Sequence, residues 1–391
     1  LRQTRRETGG AEIGCAGLAA RDSAVMIGPV CGRDRAMRLA VLGAGAIGPA
    51  AAVLAASRGH SVTIWSPSGA GTTGIDGSIE AEGVVTGRFP LHVAQDLDEA
   101  FAEADAAFLA VPAYAFSALL PRIAAALPPD LPLLIAPAAS LAPLALDALV
   151  AARGGPARRA PIGAMGTTPV TARRPAPGRV RVAAVRAAVD MAAVPAGSAA
   201  EMGTLATALF GHACPLAPNV LQAGLANANP IIHAVLALTN VTRIERAEDW
   251  PQYGLMTPAA CRMMDALAAE RASLAAAFGV AVLGLDESLH RANGVPIGPL
   301  AEMAAAIATT RGAVLGPAEM ETRYVTEDVP YGLAFYLWLA RGRGVAMPVT
   351  EAVVTSLEAL WGRGLRDNPL LDGLDPAALE ASLARGIGRE P

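Results

Sequence analysis

Lysine is missing from this chain: all 31 basic residues are arginine. That excludes lysine Schiff-base chemistry, a lysine general base and the lysine that holds phosphate in a P-loop. Cysteine is scarce. Cys15, Cys31, Cys214 and Cys261 lie far apart, with no C-x-x-C pair and no histidine at ligand spacing. No disulfide framework, zinc site or other metal centre is expected, which fits a reducing cytoplasm. Charge is thin as well. Only 17% of residues are charged and the net is −4, so there is no basic field to hold nucleic acid or an anionic membrane. Long apolar runs are lacking. The longest stretch without formal charge, Met202 to Thr242, is broken by Gly203, Gly211, Pro215, Pro218, Gly224 and Pro230. A membrane span is therefore not expected, and the chain reads as a soluble protein.

What the chain does have is apolar bulk. At 391 residues and 53% hydrophobic content it can pack the cores of two domains. Residues 1–36 carry arginine, glycine and a few acids but no apolar segment of signal-peptide length, so they read as a disordered N-terminal extension.

Order begins at Met37. Arg38-Leu39-Ala40-Val41-Leu42 reads as a short buried strand, followed by Gly43-Ala44-Gly45-Ala46-Ile47-Gly48. A helical run from Pro49 to Arg58 stops at Gly59, and Ser61 to Trp65 reads as a second strand. Strand, G-x-G-x-x-G, helix and strand make the opening of a Rossmann unit, whose helix start presents free N–H groups to a pyrophosphate. A cofactor of the NAD(P) type is expected. An NAD enzyme places Asp or Glu near the end of the second strand to bind the ribose 2′-hydroxyl. Here that region reads Trp65-Ser66-Pro67-Ser68, and the first acid afterwards is Asp76. Without a carboxylate to repel a 2′-phosphate, and with Ser66 and Ser68 able to donate to one, NADP is favoured over NAD; Arg88 is within sequence reach.

The alternation continues through a helix at Asp96–Ala104, a strand at Ala106–Val111 ending in Pro112, a helix at Tyr114–Leu127 and a strand at Leu131–Ile135. Val111-Pro112-Ala113 and Pro137-Ala138-Ala139-Ser140, beyond strand ends, are candidate cofactor or substrate edges. Ala160–Ala164 and Val180–Val189 are candidate extensions of the sheet, the second as an edge strand or a hairpin. Ser198-Ala199-Ala200-Glu201 reads as a capping box opening a helix that runs to Leu209 and stops at Gly211. This gives a Rossmann domain over residues 37–212.

From there, over residues 213–391, the pattern is helix after helix. Asn229-Pro230 reads as an N-cap and first-turn proline, and Thr257-Pro258 opens a long helix ending at Gly279. Further helices are expected at 298–310, 330–341, 348–361 and 377–385. The fold class is thus α/β plus all-α.

Of the five histidines, His60 and His92 read as surface residues. His233 lies one turn into a helix inside the uncharged stretch, where a nearby carboxylate would make it a general acid/base. The segment Arg323-Tyr324-Val325-Thr326-Glu327-Asp328-Val329-Pro330-Tyr331-Gly332 gathers a guanidinium, two carboxylates and two tyrosines before an apolar helix. Arg323 could grip a substrate carboxylate, and Asp328 or Glu327 could orient a histidine.

With G-A-G-A-I-G, N-A-N-P-I-I-H and R-Y-V-T-E-D-V-P-Y-G in this order, the chain resembles the octopine/nopaline (opine) dehydrogenase family from Met37 to about Asn368. Met264-Asp265 to Glu270-Arg271 is also similar to that family. The resemblance implies a catalytic dyad of His233 and Asp328, with Arg323 binding the carboxylate of a 2-oxo acid. It implies NAD(P)H-dependent reductive condensation of an amino acid amine with a 2-oxo acid, through an imine. The stretch from about 140 to 200 carries no motif of the family.

Two other readings stay in view. A simple 2-oxo acid reductase, of the ketopantoate reductase or hydroxyacid dehydrogenase kind, relies on a lysine this chain does not have. A non-catalytic NAD(P)-binding sensor would have no use for His233, Asp328 and Arg323. An alanine-rich helix face can serve as core or as the interface of a homodimer, and the sequence leaves both open.

Overall fold

Strand, loop and helix follow one another from Met37 as the glycine pattern requires. The computed structural model describes residues 36–311 and 314–389; the expected N-terminal extension therefore lies outside the described residues except for Ala36. The first half comprises β1 (Arg38–Leu42), α1 (Ile47–Ser57), β2 (Ser61–Trp65), β3 (Ser78–Gly83), β4 (Gly87–Pro90), β5 (His92–Val93), α2 (Leu97–Phe101) and β6 (Ala106–Leu109). It continues with α3 (Phe116–Ala126), β7 (Leu133–Ile135), α4 (Ala142–Ala152), β8 (Ile162–Met165), β9 (Val170–Ala176), β10 (Arg179–Val185), β11 (Met191–Val194) and α5 (Ala199–Phe210).

A seven-stranded sheet runs β11-β8-β7-β6-β1-β2-β5. All neighbours are parallel except β11, which runs antiparallel to β8. The strand order reverses between β1 and β6, and an open α/β sheet holds its ligand beyond the carboxyl ends at such a switch point. Both faces are covered by apolar helix surfaces, one by α1 and α5, the other by α2, α3 and α4.

The 180–189 segment does not extend this sheet. β10 belongs to a second, four-stranded sheet of order β4-β3-β10-β9, and its exposed arginines alternate with the buried Val180 and Val182 that face the core. The edge of the large sheet is instead Met191–Val194, a fully buried run. The expected capping box also fails. Ser198 ends a short 3-10 turn, and its hydroxyl makes no bond to the helix start. His60 is buried, contrary to the surface reading. Its Nδ1 accepts from the Met37 N–H (3.1 Å) while Nε2 meets the Ala208 carbonyl (3.0 Å), tying β1 to the end of α5. His92 is exposed, against Glu99.

The second half comprises α6 (Val220–Ala226), α7 (Asn229–Thr239), α8 (Val241–Glu245), α9 (Pro258–Ala277), α10 (Leu285–Asn293), α11 (Leu300–Arg311) and α12 (Arg323–Thr326). A wide π-type turn at Val329–Leu333 leads into α13 (Ala334–Arg343), followed by α14 (Pro348–Trp361) and α15 (Leu379–Arg385). These helices share one large apolar core, with α7 buried at its centre. Val220–Thr239 is long and apolar enough to cross a membrane by composition. It is two helices meeting at Asn227-Ala228, and 72% of the stretch is buried within the fold.

Candidate active site

The glycine loop closes the carboxyl end of β1. Gly43 donates to the Trp65 carbonyl (2.8 Å) at φ +114, and a Cβ there would stand 2.4 Å from the Ala110 carbonyl oxygen of the neighbouring chain segment after β6. A Cβ on Gly48 would lie 1.8 Å from the Gly43 carbonyl oxygen, so only glycine lets α1 start this close to the turn. Gly45 is different. It is exposed, and nothing lies within 4 Å of a Cβ built on it. Ala46 and Ile47, half-buried, follow at the start of α1. The loop therefore leaves an open cradle lined by helix-start amides, and these residues fit a dinucleotide pyrophosphate.

Around the cradle, Val111 is buried against Gly43 and Pro112 is exposed. Ser66 is half-buried and Ser68 exposed, and neither hydroxyl makes a hydrogen bond among the described residues. Arg88 makes no bond to either among the described residues. It donates to the Ser78 hydroxyl across the small sheet (2.7 Å). The arginine at the loop is Arg174 of β9, whose Nη1 donates to the Ala44 carbonyl (2.9 Å) and to the Gly71 carbonyl.

The second group of residues is set by α7 and the turn after α12. Asn229 is the first residue inside α7 rather than its cap. The side chain of Asn227 accepts from the Asn229 N–H (3.0 Å), and Pro230 occupies the first turn, where its missing N–H has no helical partner to lose. One turn on, His233 is 5% exposed, with Nδ1 2.8 Å from Asp328 Oδ2. Both side chains are largely enclosed, 7% and 11% exposed. Since the carboxylate accepts, Nδ1 carries the hydrogen; Nε2 makes no bond among the described residues.

Tyr324 lies flat against the imidazole, ring centroids 3.7 Å apart and planes 5° from parallel. Its hydroxyl donates to Gln252 Oε1 (2.6 Å), and burial pushes the phenol pKa above its usual range. Arg323 is exposed, makes no hydrogen bond or ion pair among the described residues, and acts on Tyr324 and Glu327 by charge alone. Between the two candidate carboxylates the structure chooses. Asp328 meets the histidine, whereas Glu327 turns to the Rossmann half and accepts from the Ala113 N–H (2.9 Å). Burial drives the Glu327 pKa up, the Ala113 N–H opposes that, and the Asp328 charge adds to it.

Ser140, expected at a ligand edge, is instead a buried pin between the halves. Its hydroxyl donates to the Tyr331 carbonyl (2.8 Å) and accepts from Asn368 Nδ2 (2.9 Å), which also reaches the Pro330 carbonyl (3.1 Å). Arg271, 1% exposed, supports the corner before α7 by donating to the carbonyls of Leu225 and Asn227.

Sequence reasoning missed four of these roles: the Tyr324 stack, the Glu327 bridge, the Asn368 pin and Arg174. Tyr324 and Glu327 stood in a segment already flagged, but nothing local shows which way a side chain turns. Arg174 lies in a stretch without a motif, and hairpin topology carries it to the glycine loop.

Comparison with known proteins gives two family matches. Residues 216–361 match the alpha-helical domain of NAD/NADP octopine/nopaline dehydrogenase, and residues 38–137 match the N-terminus of NAD-dependent glycerol-3-phosphate dehydrogenase. The chain is 29% identical over 330 residues to an opine dehydrogenase of Arthrobacter sp. (strain 1C), covering 82% of this chain and 90% of the relative. Its fold is similar to octopine dehydrogenase solved with NADH and L-arginine, at a TM-score of 0.69, 17% identity, and coverage of 90% of this chain and 94% of that one. Yersinopine dehydrogenase with NADP+ superposes at a TM-score of 0.65, 19% identity, and coverage of 90% and 98%.

Proposed function

We propose that the chain, whose residues 216–361 match the helical domain of octopine/nopaline dehydrogenase and which is 29% identical to an opine dehydrogenase, is an NAD(P)H-dependent opine dehydrogenase of that family. It would condense the amine of an amino acid with a 2-oxo acid such as pyruvate and reduce the resulting imine. The observation that carries this reading is the enclosed His233–Asp328 pair, 2.8 Å apart, in the half of the molecule that matches the family's helical domain.

The residues divide the work as follows. The amine attacks the keto carbon, giving a carbinolamine. His233, protonated at Nε2, delivers that proton to the departing hydroxyl, which leaves as water, so the C=N bond forms as a protonated imine. Asp328, accepting from Nδ1, holds the ring in one orientation and balances the imidazolium charge, which an enclosed site would otherwise disfavour. Tyr324 covers one face of the ring and shields it from water. Arg323, whose guanidinium has no partner among the described residues, grips the oxo acid carboxylate. The glycine loop from Gly43 to Gly48, with Ser66, Ser68, Val111 and Pro112, holds the dinucleotide; the reduced nicotinamide, when bound, supplies the hydride that saturates the C=N bond. Glu327, Ser140 and Asn368 link the Rossmann portion, 37–212, to the helical portion, 213–391, and so fix the distance between the two half-sites. The substrates would be small molecules, and a cytoplasmic location would suit Cys214 and Cys261, which are free thiols among the described residues.

The test is the loss of NADPH or NADH absorbance with an oxo acid, against a panel of amino acids, for the unmodified chain, His233→Ala and Asp328→Asn. Turnover should require both substrates and fall roughly 10²- to 10⁴-fold in each variant, the usual range for a positioned acid–base group. Turnover with oxo acid alone would make the protein a simple keto-acid reductase. NADPH binding with no turnover on any pair would favour the sensor.

A further inference from the structure

We propose that Arg174, reaching in from the small sheet, forms the binding site for the adenosine 2′-phosphate of NADP(H) and makes the enzyme prefer it over NAD(H). The inference rests on the reading of the glycine loop as the nucleotide site. Three observations support it.

The first is position. In a Rossmann unit the ribose of the adenosine lies between the glycine turn and the end of the second strand. Arg174 Nη1 bonds the carbonyls of both sides, Ala44 in the glycine turn and Gly71 in the segment after β2. The guanidinium is thereby fixed at the junction where a 2′-substituent must sit, with Nη2 and Nε uncommitted among the described residues.

The second is charge. Arg179 and Arg181 on β10 each pair with a glutamate on β3, whereas Arg174 has no carboxylate partner among the described residues. No acid follows β2 before Asp76, so the carboxylate that would hold a ribose 2′-hydroxyl and repel a phosphate is missing. An oriented guanidinium with spare donors, bonded to the segment after β2 that also carries Ser66 and Ser68, suits a phosphate dianion.

The third is rigidity. The segment after β2 is seated on the β9–β10 hairpin at Gly74 and Gly178, which approach so closely that a Cβ on Gly178 would lie 2.2 Å from the Gly74 carbonyl oxygen. The hairpin that carries Arg174 and the segment that carries the serines therefore form one support, and little ordering is left for binding to accomplish.

The experiment is fluorescence titration of NADPH and NADH, without substrates, into the unmodified chain, Arg174→Gln and Arg174→Ala. Glutamine keeps a donor for the Ala44 or Gly71 carbonyl and removes the charge. Both variants should weaken NADPH roughly 10- to 100-fold, as for loss of a charge-assisted hydrogen bond, and hold NADH within about 3-fold. Adenosine 2′,5′-bisphosphate should compete better than adenosine 5′-monophosphate against the unmodified chain only. Equal losses for both nucleotides in Arg174→Gln would make Arg174 a brace for the loop and overturn the proposal, as would no loss at all. Binding of neither nucleotide by the unmodified chain would overturn the reading of the glycine loop itself, and this inference with it.

Discussion

Tyr324 is stacked on His233, ring on ring at 3.7 Å and within 5° of parallel. The two residues come from different helices and meet only because α12 packs across the start of α7. A flat aromatic face stabilises an imidazolium through its quadrupole and removes water from that side. Burial keeps the Tyr324 phenol protonated, so it remains a donor to Gln252 across the neutral range.

This stack gives a prediction that separates ring from hydroxyl. Tyr324→Phe should keep kcat within about 3-fold, whereas Tyr324→Leu should lower it about 10-fold, the range of an enclosed cation–aromatic contact. Steady-state kinetics with both co-substrates checks it. Equal losses would assign the effect to the hydroxyl bond with Gln252.

Glu327 makes stability depend on pH. Burial and the neighbouring Asp328 charge raise its pKa, against the Ala113 N–H. The folded protein thus holds this proton more tightly than the unfolded chain does. The corresponding stability is complete below the ordinary glutamate range and is lost as pH rises through the folded-state value. Glu327→Gln keeps an acceptor for Ala113 but cannot ionise. Melting curves from about pH 4, near the ordinary glutamate value, to about pH 8 should coincide at the acid end and separate above it, with the variant the more stable. A variant that matches the unmodified chain at the acid end but is the less stable above it would show that the charge itself holds the two halves together.

How far the residues alone carry the reading depends on the range of the interaction. The glycine loop and β1-α1-β2 follow from a contiguous pattern in which each residue answers a local demand. Thr257 caps α9 as expected, accepting from the Ala260 N–H, because a cap is also local. The His233–Asp328 pair spans 95 residues and was legible only through two motifs taken together. Burial of His60 depends on Ala208, 148 residues away, and no periodicity near His60 records that partner. Arg174 shows the same limit, since it reaches Ala44 across 130 residues through a second sheet whose existence the Val180–Val189 pattern only hinted at. Direction of approach, which decides between Glu327 and Asp328, is written in the packing of α12 and not in the order of the letters.

Arg271 is a buried cation held by backbone carbonyls and by the Tyr336 side chain, with no carboxylate partner among the described residues. Nη1 donates to Leu225 and Asn227, Nη2 to Leu283 (2.7 Å), and Nε has no partner among the described residues. Tyr336, fully buried, donates to the same Asn227 carbonyl (3.4 Å). Removing the guanidinium strands these carbonyls at the corner that starts α7. Arg271→Met should therefore cost roughly 2–5 kcal/mol in denaturant unfolding, as when one side of a buried charged network is deleted. An unchanged unfolding midpoint would mean that water replaces the guanidinium at no loss.

Asp147, with no exposure, is shared by two buried arginines. Oδ1 accepts from Arg159 Nε (3.0 Å) and Nη2 (2.7 Å) and from Arg389 Nε (2.9 Å), while Oδ2 accepts from the Ile387 N–H (2.7 Å). Arg159 also donates to the carbonyls of Ile387 and Gly388, so the segment 386–389 is strapped onto α4 through one carboxylate. Taking that carboxylate away leaves two enclosed guanidiniums facing each other with no anion. Asp147→Ala should destabilise the protein by about 3–5 kcal/mol, as expected for a buried charge left without its partner. Arg389→Met should be milder, because Arg159 still satisfies Asp147. Limited proteolysis gives the matching readout: cleavage near residues 386–389 should accelerate in both variants before the rest of the chain is attacked. Uniform cleavage across the chain in Arg389→Met would mean that the strap and the Rossmann core unfold as one unit.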